Sequence, residues 1–155
     1  MKILIGIKGP EGDAYLRRVA ALAPLPIADR IILAHVIDTG PRGDLELGRD
    51  RYLTRRRLPE SRTLDITGAE KEASHEALTF AHSVLLDAGI DEGRINEVIL
   101  SGKPRETLRD LAEREQIDLI VVAARHGKPG PHSLGKTARF LVDHAPSAAL
   151  LVREL

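Results

Sequence analysis

The sequence predicts an α/β protein, a single domain over residues 1–155 built on an open, five-stranded parallel sheet with helices on both faces. Three observations predict this. Five short segments are apolar almost throughout, as strands covered on both faces are. Helix-period stretches alternate with them, and repeated strand–helix–strand units give parallel pairing. At 155 residues, without a single cysteine, the chain is long enough to bury one core unaided by disulfides.

The strands are KILIGIK (2–8), RIILAHVI (30–37), INEVIL (95–100), DLIVVAA (118–124) and AALLV (148–152). The first helix, 13–23, places Leu16, Val19, Ala20 and Ala23 on one face, with Asp13 as its N-cap. A long helix is expected over 68–88, where Thr67 and Glu70 fit the capping-box spacing. The helix 104–116 starts with Pro104 at a first-turn position and turns Leu108, Leu111 and Ala112 inward. The last helix, about 135–145, carries Ala138, Leu141 and Val142 and is stopped by Pro146.

Residues 38–66 break this rhythm. They hold seven arginines, including Arg55, Arg56 and Arg57, and read as a solvated loop insertion with a short helix at 50–57. An anion or partner site is the functional alternative there.

Composition narrows the function. Lys+Arg and Asp+Glu are both 23, so no net field favours nucleic acid or an anionic membrane, and 3% aromatics supply few base-stacking platforms. No apolar run approaches the ~20 residues that span a bilayer. The start, MKILIGIKGPEGD, is interrupted by Lys8 and has no signal-type cleavage site, so a cytoplasmic location is expected.

The stretch GKPGPHSLGKT (127–137) carries the most chemistry. Gly130 to Thr137 matches the phosphate-loop pattern G-x-x-x-x-G-K-[ST]. Phosphate binding needs converging backbone N–H groups, which a glycine-rich turn opening onto a helix supplies. Gly127, Gly130 and Gly135 allow close approach, Lys128, His132 and Lys136 add charge, and Thr137 offers a hydroxyl. A phosphate-loop hydrolase is a poor fit, because Gly130 stands six positions after Ala124, and Asp38 is the single carboxylate at a strand end placed to hold Mg²⁺. If the first and fourth strands are neighbours, Lys8 joins the same crevice beyond their carboxyl ends.

Taken together, KILIGIKGPEG, LAHVID, GKPRETLRDLAEREQIDLIVVAARHG and GKTARFLVDHAPSAALLV resemble the universal stress protein family over nearly the whole chain. The SGKP turn and the HAP turn before the final strand are the more specific parts. The resemblance implies a Rossmann-like fold, a regulatory role in stress response, and an adenine nucleotide ligand such as ATP, with or without Mg²⁺. The ATP-binding pattern G-x-x-G-x(9)-G-[ST] is altered here. Ala124 replaces its first glycine, Ala124-Arg125-His126-Gly127 stands for its start, seven residues separate Gly127 from Gly135, and Lys136 precedes Thr137 where Ser or Thr is expected. The family's aspartate after the first strand is Lys8, and Val36 matches the position whose backbone meets adenine. The candidate ligand residues are therefore Ile7, Lys8, Val36, Ala124, His126, Gly127, Lys128, Gly135, Lys136 and Thr137. The alternatives are a member that binds no nucleotide and acts as a dimeric interaction module, and a slow Mg²⁺-dependent ATPase using Thr137. A regulatory role ranks above an enzymatic one.

Other groups read as structural. His75 with Glu72 or Glu76 has metal-ligand spacing but suits a solvated face, and no metal is assigned to it. His35 reads as a hydrogen-bonded core residue, and His144 suits a helix C-terminus. The segment 147–152 would form an apolar sheet edge, and the resemblance implies a homodimer through it.

Overall fold

The computed structural model describes residues 1–9, 13–39, 60–124 and 129–153. The elements follow in the order β1 (Lys2–Ile7), α1 (Asp13–Leu22), β2 (Arg30–Asp38), α2 (Glu60–Asp87), β3 (Ile95–Gly102), α3 (Pro104–Arg114), β4 (Leu119–Ala123), α4 (Lys136–His144) and β5 (Ala148–Val152). All strand pairs are parallel, and the sheet order is β3-β2-β1-β4-β5. The chain winds outward in both directions from the β1–β4 pair, so β1 and β4 are neighbours as the sequence suggests.

Side chains alternate between the two faces of each strand. On one face Ile3, Ile5, Ile7, Ile31, Leu33 and Val121 pack against Leu16 and Val19 of α1 and Leu78, Ala81 and Leu85 of α2. On the other, Leu4, Ile32, Ala34, Ile120 and Val122 meet Leu108, Leu111 and Ala112 of α3 and Ala138 and Leu141 of α4. The near-continuous apolar runs are thus explained: successive residues serve opposite cores.

Three expectations need correction. The long helix begins at Glu60, not near 68, so Thr67 lies inside it rather than at its start. ESRTLDIT contains neither Gly nor Pro to stop a helix, and the Thr67–Glu70 spacing is coincidental. The proposed 38–66 insertion loses both ends to regular elements. Asp38 closes β2, the Thr39 N–H donates to the Gly102 carbonyl at 3.0 Å, and 60–66 are helical. The expected short helix at 50–57, with Arg55, Arg56 and Arg57, lies outside the described residues. Finally, Asp13 is the first helical residue of α1 rather than its N-cap.

His35 behaves as the sequence suggests. Its Nδ1 lies 2.8 Å from the Ile7 carbonyl, which can only accept, so Nδ1 carries the proton. His144 Nδ1 bonds in the same way to the Phe140 carbonyl at 3.0 Å near the end of α4. No helix among the described residues is long and apolar enough to cross a membrane.

Candidate functional site

A cavity of about 750 Å³ opens beyond the carboxyl ends of β1, β2 and β4, on the face covered by α3 and α4. Its origin lies in side-chain size along that face. One level down, β1, β2 and β4 contribute Leu4, Ile32 and Ile120, all buried. At the next level the register aligns Gly6 with Ala34, and Val122 follows on β4. A glycine beside an alanine cannot fill the space beneath the helices, so the core ends there and the cavity begins. A Cβ built on Gly6 would sit 3.3 Å from Val122 Cγ1 and 3.5 Å from Leu108 Cδ1, both lining residues.

The rim is charged. Lys8 follows β1, Asp38 ends β2, Lys103 and Arg105 open α3, and Lys136 and Thr137 open α4. Neither helix has a side-chain hydrogen bond capping its N-terminus. The leading amides of such helices have no intrahelical acceptors and carry the positive end of the helix dipole. Gly135 is the N-cap of α4 at φ 82°, a conformation that favours glycine, and its carbonyl accepts from the Arg139 N–H at 3.1 Å. Before it, Gly130–Leu134 form a turn secured by the Arg153 guanidinium, whose Nη2 donates to Ser133 Oγ at 3.1 Å. At the other mouth, Gly102 has φ 146°, and a Cβ there would lie 2.5 Å from Thr107 Oγ1. The tight SGKP turn that delivers Lys103 and Arg105 to the rim therefore needs glycine.

Six of the ten predicted residues border this cavity: Ile7, Lys8, Val36, Gly135, Lys136 and Thr137. Ile7 does so through its backbone. Its side chain belongs to the opposite core with Ile3 and Ile5, which leaves its backbone at the cavity. Ala124 is buried beside the lining residue Ala123, and its N–H donates to the Val152 carbonyl at 2.9 Å. The glycine it replaces is not required for its backbone: among the described residues only Gln116 and His132 combine positive φ with a side chain. His126, Gly127 and Lys128 lie outside the described residues.

Sequence reasoning missed Gly6, Ala34, Lys103, Arg105 and Leu108 as site residues. The available signal was SGKPR itself, a turn with two cations between a strand end and a helix start. His75 and Glu76 instead border a shallow depression of about 470 Å³ on α2 with Thr79, Phe80 and Ser83. His75, Glu72 and Glu76 are all exposed, and no cluster of three or more metal-ligating side chains occurs among the described residues.

Comparison with known proteins agrees with this architecture. The model of the universal stress protein family matches residues 1–153. Universal stress protein G of Salmonella typhimurium is 29% identical over 89 residues, a match covering 57% of this chain and 63% of that protein. Among solved structures, a universal stress protein in complex with cAMP superposes with a TM-score of 0.64 at 17% identity, covering 100% of this chain and 98% of its own. A family protein from Arabidopsis thaliana with AMP bound gives 0.62 at 16% identity, covering 100% and 92%. With the match running through all five strands and both helix-opening turns of the cavity, this chain belongs to the universal stress protein family.

Proposed function

We propose that this protein binds an adenine nucleotide in the cavity above β1, β2 and β4 and serves as a regulator in stress response rather than as a catalyst. The observation that carries the reading is the division of the cavity into a flat apolar floor and a cationic rim. Gly6, Ala34, Val36 and Val122 offer a surface suited to a purine. Gly135, Lys136 and Thr137, at the uncapped start of α4, offer amides, an ammonium and a hydroxyl suited to phosphate. The relatives solved with cAMP and AMP support the ligand class.

The test is thermal unfolding with ATP, ADP, AMP, cAMP and inorganic phosphate, each with and without Mg²⁺. A ligand at 100-fold over its Kd adds about 2.7 kcal/mol, at roughly 2–4 °C per kcal/mol for a chain of this size. Lys136→Ala is expected to weaken the stabilising nucleotide by about tenfold, the contribution of one charge-assisted contact. Unchanged binding in that variant would remove the phosphate role of α4. Metal-dependent ATP turnover lost with Thr137 would instead favour the ATPase reading.

A second reading, compatible with the first, is a homodimer paired through β5. This strand forms one edge of the sheet, and its Ala148 and Ala149 are exposed and small enough for close backbone approach. Ala149→Lys is expected to turn a dimer into a monomer in sedimentation equilibrium while leaving the circular dichroism spectrum intact. A wild-type monomer at tens of micromolar, or a variant that still dimerises, would overturn it.

A further inference from the structure

We propose that the preferred ligand is a nucleotide phosphorylated at two places, on its 5′ carbon and on a ribose hydroxyl. This rests on the nucleotide reading above and specifies its ligand class. Among the described residues, four cations border the cavity, Lys8, Lys103, Arg105 and Lys136, against the single carboxylate of Asp38. A 5′-phosphate chain held at Lys136 would leave three of them around the nucleoside.

The cations also come from two different helix starts. Helix α3, which presents Lys103 and Arg105, packs on β2 and β3, whereas α4, which presents Lys136, packs on β5. The two helices also pack on each other, so both N-termini open onto the one cavity. A phosphate at either helix start would meet cations there, whereas the apolar floor offers a phosphate nothing.

Arg105 is moreover held in place. Its guanidinium lies 5.5 Å from the centroid of Phe140 on α4, and Arg109 lies 5.4 Å from the same ring. The ring is itself stacked on His144 at 4.3 Å. The half-buried Arg105 is thus packed at the edge of the cavity by an aromatic side chain, not extended into water. A positioned guanidinium beside an ammonium and an uncapped helix start matches a phosphate dianion, with its charge and three acceptor oxygens, better than a neutral ribose hydroxyl with one.

Isothermal titration of the full chain, first shown to carry no bound nucleotide, tests this with AMP, ATP, adenosine 3′,5′-bisphosphate and adenosine 2′,5′-bisphosphate. One of the two bisphosphates is expected to bind at least about tenfold tighter than AMP, and which one does so identifies the ribose position. That ratio should fall towards one in Lys103→Gln/Arg105→Gln and persist in Lys103→Arg/Arg105→Lys, with thermal midpoints reporting that each variant folds. Equal affinity for AMP and both bisphosphates would overturn the proposal while leaving the nucleotide reading intact. A preference unchanged in the glutamine variant would also overturn it. Failure of all four nucleotides to bind would remove the nucleotide reading itself.

Discussion

Gly6→Val is expected to abolish nucleotide-dependent stabilisation. The Cβ alone approaches Val122 and Leu108 to 3.3 and 3.5 Å, and two further methyl groups must project into the space between them, where the purine would lie. Valine suits a central strand, so the variant should still fold, with overpacking costing about 1–3 kcal/mol. The measurement is the nucleotide-induced shift in the thermal midpoint, compared with that of Gly6→Ala. Alanine brings only the Cβ and should lose less of the shift. A valine variant that binds as the wild type does would show that this cavity is not the site.

Leu33→Ala should have the largest effect on stability. Leu33 is fully buried on β2, beside Ile5 of β1 in register, and shares a core with Leu78 and Leu85 of α2. Truncating such a residue removes its transfer energy and leaves a cavity that a rigid sheet cannot close, a cost of about 2–5 kcal/mol. Denaturant unfolding should show a lower midpoint with an unchanged slope. Leu22→Ala is the matched control, because Leu22 is 57% exposed and its loss should stay within about 0.5 kcal/mol. Similar losses in the two variants would mean that the core on the α1–α2 face is not the main source of stability.

The two substitutions probe opposite faces of the same sheet. The face covered by α1 and α2 stays apolar from Ile3 to Ile7, whereas the face covered by α3 and α4 runs from Leu4 through Gly6 to Lys8. One face is a continuous core, and the other is a core that gives way to a cavity. This division of labour along one strand places the cavity next to the buried core of the sheet.

The element order, the parallel sheet and the apolar faces of α1 and α3 were determined by the sequence itself. On α4, Ala138 and Leu141 are buried as expected, but Val142, read on the same apolar face, is exposed, because the helix turns only the other two onto the sheet. Apolar period, Pro104 at a helix start and glycine before α4 are local signals, and each is read within a few residues. The start of α2 was misread for the same reason: Thr67 and Glu70 carry a local cap signature, but nothing in ESRTLDIT halts a helix extending to Glu60. Of the residues bordering the cavity, Lys8, Gly135, Lys136 and Thr137 were legible because they follow a strand end or open a helix, and Val36 through the family resemblance. Gly6, Ala34, Lys103 and Arg105 were not. Gly6 and Ala34 are unremarkable within their strands, and they make a cavity only because the β1–β2 register sets them side by side. Lys103 and Arg105 stand in a strand-to-helix turn, SGKPR, that was legible as such, but that turn reaches the rim because α3 crosses back over β2 on the face shared with α4. Inter-strand register and helix placement arise from contacts between residues far apart in the chain, and no local pattern carries them.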